Sequence, residues 1–160
     1  MAPAAARVRA GPRQGAGQYA IGTLARNEAE AAGAQDALLL DHRGHLTEAT
    51  GANLFLVVDG ELHTPVPDCF LDGITRRVVI GLARSYGIRV VERHIPVGEL
   101  ESASEVFLTG TAYEVQPVRS IGGLTHASAS RPGEVTRTLA FRPGEVTRTL
   151  ADAYAKLVRS

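Results

Sequence analysis

Gly73, Ile74 and Thr75 form a tripeptide whose place in the sequence suits the binding of a phosphate group. They stand where a loop opens a predicted helix, and the first N–H groups of a helix have no partner within it. Those groups and the helix dipole attract an anion, and the Thr75 hydroxyl adds a donor. The same tripeptide is also typical of an ordinary helix start, in which glycine makes the turn.

A second candidate anion site lies in the sequence TGTA at 109–112. Gly110 follows a predicted strand, and the backbone of Thr111 and Ala112 offers further N–H groups beside the Thr111 hydroxyl. Successive backbone N–H groups in a turn can form such a concave site. A plain turn at the end of a strand is the alternative.

Amine chemistry has one side chain available, because Lys156 is the only lysine among seventeen lysines and arginines. An arginine stays protonated and cannot act as an amine nucleophile. Lys156 itself is expected to be a solvated lysine on the last helix.

Two other kinds of site are not favoured. His42 and His45 lie three residues apart in a predicted turn with no third ligand nearby in sequence, so we expect exposed histidines and no metal. Cys69 has no paired base in sight, and a buried, inert side chain is expected.

The elements that must position these residues alternate between helix and strand. Apolar spacing and Gly33 predict a helix over 18–33, and a second helix over 73–87 ends at Gly87. Strands are predicted for DALLLD, GHLTE and NLFLVVDGELHT, the last with an Asp-Gly hairpin, and for IRVVERHI. VGELESA predicts a short helix and SEVFLTGT a strand that ends in a Gly turn, with AYEVQPVRSI as its continuation. The predicted fold class is α+β.

The decapeptide RPGEVTRTLA occurs at 131–140 and again, unchanged, at 142–151. Two short copies do not make a repeat architecture, so a tandem duplication is the better interpretation. The second copy runs into DAYAKLVR, which places apolar residues at 146, 150, 154, 157 and 158 on one buried helical stripe. The first copy is expected to form a loosely held turn or short helix, and deletion of residues 131–141 is expected to leave stability unchanged or slightly raised.

Composition limits the function classes. The 160 residues carry seventeen basic and seventeen acidic side chains and 44% hydrophobic residues, so charge recruits neither nucleic acid nor an acidic membrane surface. No apolar run approaches the ~20 residues of a membrane span. With one cysteine and a basic, acid-free start, we expect a cytoplasmic protein with a disordered leader at 1–11.

Residues 48–76 resemble the signature of the class IV aminotransferases, which bind pyridoxal phosphate. The matching positions are Glu48, Asn53, Leu54, Phe55, Leu62, Thr64, Leu71, Gly73, Ile74 and Arg76. ALLLD, ERHIPVGEL, EVFLTGTAYEVQPVRSIG and TLADAYAKLVR look most like the branched-chain amino acid branch. The resemblance covers about residues 12–126 and the final helix.

The resemblance implies a role for each candidate residue. Glu48 would face the pyridine nitrogen and favour its protonated form, although alone it would be interpreted as a solvated strand-end glutamate. Tyr19 would hydrogen-bond the phenolic oxygen of the cofactor, with a half-buried core tyrosine as the alternative. Thr111 and Ala112 would also hold the substrate carboxylate. The implied cofactor-binding set is Tyr19, Glu48, Asn53, Gly73, Ile74, Thr75, Gly110 and Thr111.

The resemblance also identifies a defect. The family pattern before its tyrosine is similar to Ala-Lys-x-x-Gly-x-Tyr, and an ungapped alignment on Tyr19 puts the Schiff-base lysine at Gln14. An amide nitrogen cannot form the imine, because its lone pair is delocalised into the carbonyl. The expectation is therefore an inactive or impaired enzyme with no covalently attached cofactor.

The resemblance implies the large, cofactor-binding domain of the D-amino acid aminotransferase-like fold over 12–160, with the small N-terminal domain missing. Amino transfer between a branched-chain amino acid and 2-oxoglutarate is the implied activity, in a homodimer. A D-amino acid transaminase or an aminodeoxychorismate lyase is the first alternative. A non-catalytic remnant that binds a homologue or a phosphorylated ligand is the second.

Overall fold

The computed structural model describes residues 16–124 and 137–159. The expected leader at 1–11, Gln14 and the first six residues of the duplicated decapeptide lie outside these ranges. The helices are α1 (Ala16–Ala31), α2 (Ile74–Ser85), α3 (Glu145–Arg159) and a 3-10 helix (Val97–Ser102). The strands are β1 (Leu38–Leu40), β2 (His45–Ala49), β3 (Asn53–Val58), β4 (Glu61–Pro65), β5 (Val90–Arg93), β6 (Ile95–Pro96), β7 (Glu105–Gly110), β8 (Glu114–Pro117), β9 (Ser120–Leu124) and β10 (Arg137–Ala140).

Helix α1 confirms the first predicted helix, and it ends just before Gly33, as predicted. Gly33 has a φ of +80°, the left-handed conformation that follows many helices. The buried face of α1 is made of alanines, including Ala25 and Ala29, which pack against Ala37 and Leu39. Small side chains let the helix lie close to the start of β1.

Strand β3 is the centre of the sheet. It pairs antiparallel with β4 on one edge and with β7 on the other, and it also meets β2 at one residue pair. Its alternate side chains enter two separate cores, Leu54 and Leu56 on one face and Phe55 and Val57 on the other. Because both faces are covered, β3 is a continuous apolar run.

The predicted hairpin and second helix are confirmed. Asp59 and Gly60 both have positive φ, as the two-residue turn between β3 and β4 requires. The chain then crosses through α2 and returns as β5, parallel to β4. Gly87, with φ +74°, ends this helix as expected.

One predicted strand is wrong in its direction. The sequence AYEVQPVRSI does not continue β7, because the chain reverses through a turn at 111–113 and returns as β8, antiparallel to β7. A further break at 118–119 separates β8 from β9. The turn predicted after this strand is confirmed, whereas the reversal of direction was not predicted.

The two copies of the decapeptide fold differently. RTLA of the second copy lies in α3, whereas RTLA of the first copy is β10, antiparallel to β9. Leu139 packs against the core and Phe141 is buried in it. The expectation that the first copy is a loose turn or helix is therefore wrong for 137–140, because β9 offers an edge with which it pairs.

Helix α3 docks as predicted over its first half only. Leu150 is fully buried, and Val146 and Tyr154 pack at the edge of the same cluster. Leu157 and Val158 are each about half exposed, so the predicted buried stripe ends one turn early. Lys156 is exposed, as expected. Among the described residues, no helix has the length and apolar content needed to cross a membrane.

Candidate functional site

Adjacent strands place three polar side chains next to one another. Glu48 on β2 is paired with Asn53 on β3, and Asn53 is paired with Thr109 on β7. The Asn53 amide donates to Glu48 Oε2 at 3.4 Å, which is a weak contact. The sheet therefore brings two of the predicted site residues, Glu48 and Asn53, to one corner.

Asn53 also fixes the loop that leads to α2. Its Nδ2 donates to the carbonyl of Leu71 at 2.8 Å, and a methyl group added at Gly73 would collide with its Oδ1. The φ of Gly73 is −62°, an ordinary value. Glycine is thus required here by close packing and not, as the sequence alone indicated, by the turn.

The start of α2 has the features of an anion site. Gly73 is the N-cap residue of α2, and among the described residues no side chain caps the helix. The first turn of α2 carries no acidic residue. Ile74 is 74% exposed, whereas the next two residues of the same turn, Thr75 and Arg76, are buried. The Thr75 hydroxyl lies 3.5 Å from that of Tyr154 on α3.

A buried arginine holds this helix start in place. Arg76 is 1% exposed and donates to Asp72 Oδ1 and Glu92 Oε2, each at 2.8 Å, and to the carbonyl of Pro65 at 3.0 Å. It thereby joins the ends of β4 and β5 to the first turn of α2. The signature arginine therefore positions the helix and does not itself face outward.

The second predicted anion site lies beside the first corner. Gly110 ends β7, and a methyl group added to it would come within 3.2 Å of the carbonyl of Gly51 in the β2–β3 turn. Thr111 and Ala112 are exposed in the turn that follows. The structure thus brings together Glu48, Asn53, Gly73 and Gly110, with Thr75, Thr111 and Ala112 at their margins.

Asp36 was not identified from the sequence, yet it ties two of these turns together. Its Oδ1 accepts the Thr50 hydroxyl proton at 2.5 Å, and its Oδ2 accepts that of Tyr113 at 3.2 Å. Thr50 lies in the β2–β3 turn and Tyr113 in the β7–β8 turn. The sequence did not predict this role for Asp36, because its two partners lie 14 and 77 residues further along the chain.

Burial changes the acidity of Glu48. The surrounding protein raises the pKa of its carboxyl group to about 7, because a charged carboxylate is poorly solvated there. Near neutral pH this carboxyl group therefore has both a protonated and a charged form available. The alternative of a solvated strand-end glutamate is not supported.

Other predicted residues and cavities lie apart from this corner. The Tyr19 side chain and Gln14 fall outside the described part of the chain, so their roles stay predictions. Cys69 is partly exposed, in contrast to the buried side chain expected for it. A cavity of about 540 Å³ is lined by Arg26, Asp36, Tyr113 and Arg119 among others, and its described lining contains none of the predicted site residues.

Comparisons with known proteins give the family. The profile described as amino-transferase class IV matches residues 9–121. Since this is well over half of the chain, the protein belongs to the class IV amino-transferases. The resemblance stated from residues 48–76 is thereby confirmed.

Within that family, the similar proteins are branched-chain aminotransferases. The chain is 43% identical over 106 residues to the probable branched-chain-amino-acid aminotransferase of Rickettsia felis, covering 66% of this chain and 37% of that protein. It is 41% identical over 120 residues to the branched-chain-amino-acid aminotransferase of Pseudomonas aeruginosa, covering 75% and 39%.

A solved structure shows the same fold. The branched-chain amino acid aminotransferase of Escherichia coli superposes with a TM-score of 0.77 at 35% identity, covering 96% of this chain and 50% of that one. The predicted α+β class is confirmed. The chain spans 37 to 39% of the length of the two curated relatives and half of the solved chain.

A second solved structure contains the expected cofactor. It is an aminotransferase from Brucella abortus bound to pyridoxal phosphate, with a TM-score of 0.75 at 31% identity. The match covers 91% of this chain and 47% of that one. The family to which this chain belongs is thus one that depends on pyridoxal phosphate.

Proposed function

We propose that this chain is the cofactor-binding part of a branched-chain-type aminotransferase that binds pyridoxal phosphate without a covalent bond and does not transaminate. The observation that carries the proposal is the corner at which Glu48, Asn53 and Gly73 meet. The similar Brucella abortus protein was solved with pyridoxal phosphate, which supports the choice of cofactor.

The corner suits the ring of the cofactor through Glu48. The pKa of this carboxyl group is about 7 because of burial, and the strand pairing places it beside an amide and not beside a cation. A basic ring nitrogen would supply the missing positive partner and would favour the charged carboxylate. Glu48 would then hold a proton on that nitrogen.

The phosphate group suits the two glycine turns. The uncapped start of α2 offers the N–H groups of Ile74 and Thr75, and the dipole of the helix favours an anion there. An added methyl group at Gly73 or at Gly110 would crowd the Asn53 side chain or the Gly51 carbonyl, so both turns keep their present form only with glycine. Thr111 and Ala112 would provide exposed N–H groups for the phosphate and for a substrate carboxylate.

Bound pyridoxal phosphate supplies an electron-accepting ring that stabilises negative charge at the Cα atom of an amino acid. The remaining requirement is a neutral amine that attaches the cofactor and moves the Cα proton. Gln14 can do neither, since its nitrogen lone pair is delocalised. Tyr154 faces Thr75, and Lys156 lies two residues further along the same helix. Residues with this spacing do not share a helix face, so Lys156 does not face Thr75.

Binding and attachment are tested separately on the full chain. Equilibrium dialysis with pyridoxal phosphate should show saturable binding to the wild type that Gly73→Ala weakens and the control Gly81→Ala leaves unchanged. Gly81 lies in the same helix, where an added methyl group meets no described atom within 4 Å. Equal binding by both variants would contradict the phosphate site.

Borohydride treatment followed by mass mapping tests the covalent bond. The wild type should carry no pyridoxyl group at residues 7–19, whereas Gln14→Lys should acquire one at residue 14. A pyridoxyl group at residues 7–19 of the wild type, or none at residue 14 of the variant, would overturn the assignment of Gln14. Amino transfer from leucine to 2-oxoglutarate should be undetectable for the wild type.

The partners and location of the protein follow the same proposal. We propose a branched-chain amino acid and its 2-oxo acid as the small molecules, a homo-oligomer as the assembly and the cytoplasm as the location. Leu24, Leu71 and Ile74 are large apolar side chains that are more than half exposed, which supports an association surface. Sedimentation as a monomer at working concentration would contradict it.

A further inference from the structure

A buried carboxylate stands at the turn between β1 and β2. Asp41 is 5% exposed, and its Oδ1 accepts the backbone N–H groups of Arg43 and His45, both at 2.8 Å. These bonds and burial within the turn fix the carboxylate. Its Oδ2 lies 3.2 Å from Nδ1 of His45, within hydrogen-bond distance, so a carboxylate oxygen and an imidazole nitrogen already lie next to each other.

Strand pairing brings a second imidazole to this pair. Strand β6 pairs with β2 in a register that sets Pro96 opposite His45, so His94 at the β5–β6 connection lies alongside. The two imidazole rings have their centroids 5.4 Å apart and are tilted by 32°. One ligand atom from each of Asp41, His45 and His94 lies within 4.8 Å of the other two.

We propose that Asp41, His45 and His94 bind a divalent transition-metal ion, with Zn²⁺ as the ion that suits them best. Two imidazole nitrogens and one carboxylate oxygen form a donor set that Zn²⁺ favours, with a fourth position left for water. The sequence did not indicate the site, because the third ligand is distant along the chain from the two in the turn.

The geometry needs only a small adjustment to close around an ion. Donors at about 2.0–2.1 Å from a tetrahedral ion lie about 3.3 Å from each other. The side chain of His94 is 43% exposed, so its ring has room to rotate toward the fixed carboxylate. Its Nε2 now lies 3.7 Å from Asp68 Oδ2, a second carboxylate that offsets the positive charge of an ion.

A bound ion would add a link between segments that backbone pairing, a ring contact and shared core packing already connect. It would link the β1–β2 turn to the β5–β6 connection and would hold β6 against β2, the strand that carries Glu48. An ion that binds only the folded chain stabilises it by an amount that rises with the logarithm of the ion concentration divided by the dissociation constant. This role is independent of cofactor binding and of amino transfer.

Calorimetric titration of the full, untagged, chelator-treated chain with Zn²⁺ tests the proposal. We expect one high-affinity ion per chain, with the affinity reduced at least about tenfold in His94→Gln and in His45→Asn, since even groups that only support a metal ligand contribute about 10–100-fold. The matched control is His42→Gln, because His42 is exposed in the same turn and is not in the cluster.

Nuclear magnetic resonance of the histidine rings identifies the ligands without relying on variants. Zn²⁺ should shift the ring signals of His45 and His94 and leave that of His42 in place. No binding, equal affinity in all three variants, or shifts confined to other histidines would overturn the proposal. A rise in melting temperature with Zn²⁺ in the wild type that His94→Gln abolishes would support it.

Discussion

Glu105 decides where α3 begins, and its removal is the most informative single change. It is the first residue of β7, it is 7% exposed, and its carboxylate accepts the N–H of Thr147 at 2.8 Å and that of Val146 at 3.3 Å. A methyl group added at Gly144 would collide with the same carboxylate. Glu105 thus caps a helix that is distant in sequence.

The cost of Glu105→Ala follows from these contacts. Hydrogen bonds to a charged group contribute about 1.5–3 kcal/mol each, and the longer of the two is weak, so about 2–4 kcal/mol of unfolding free energy should be lost. For a domain of this size, 1 kcal/mol corresponds to about 2–4 °C. The melting temperature should therefore fall by about 4–16 °C.

Thermal and urea unfolding followed by circular dichroism measure this loss. The matched control is Glu145→Ala, which removes an exposed carboxylate from the first turn of the same helix. Only the interaction with the helix dipole is lost there, about 0.3–1 kcal/mol. If Glu105→Ala destabilised the protein no more than Glu145→Ala, the capping argument would be refuted.

Further predictions concern the candidate site. Burial raises the pKa of Glu48 from 4.5 to about 7, so between these pH values the folded chain holds a proton that the unfolded chain has released. The free energy of unfolding should therefore fall as the pH rises from 4.5 to about 7 and level off above that. In Glu48→Gln this part of the decline, measured by urea unfolding at a series of pH values, should vanish. Gly73→Ala should destabilise the protein by about 1–3 kcal/mol, because its methyl group overlaps Asn53. The control Gly81→Ala should be neutral or stabilising by up to about 1 kcal/mol. A reversed order of the two denaturant midpoints would contradict the close packing of Gly73 against Asn53. Arg76→Met should cost about 1–3 kcal/mol, because it leaves the buried carbonyl of Pro65 without its donor while the partly exposed carboxylates of Asp72 and Glu92 stay in contact with water. A loss well below about 1 kcal/mol would show that these contacts are dispensable.

Features set by neighbouring residues were predictable from sequence. The Asp59-Gly60 turn, the helix ended by Gly87 and the apolar run of β3 each depend on local backbone preference or on simple periodicity. The corner of Glu48 and Asn53 was reached through the family resemblance, since its pairing across strands has no local signal. Even there, the reason for Gly73 became clear only from its contact with Asn53.

Features set by distant contacts were not predictable. Asp36 joins two turns, and His94 meets His45, through pairings between segments that are far apart in sequence. The clearest case is RTLA, for which identical residues form a strand at 137–140 and a helix at 148–151. The four residues have the same propensity in both copies, so their surroundings decide the outcome. Pro143 follows the first copy, which pairs with β9, whereas the second copy continues into DAYAKLVR in the helix that Glu105 caps.

Because the two copies of the decapeptide fold differently, they should tolerate different substitutions. Leu139 and Leu150 occupy equivalent positions in the two copies, yet the first is half-buried on a strand and the second is fully buried on a helix. The same substitution would therefore meet different selection in each copy, with β-branched residues favoured at 139 and disfavoured at 150. Copies that begin identical should drift apart toward valine and isoleucine in one and toward leucine and methionine in the other.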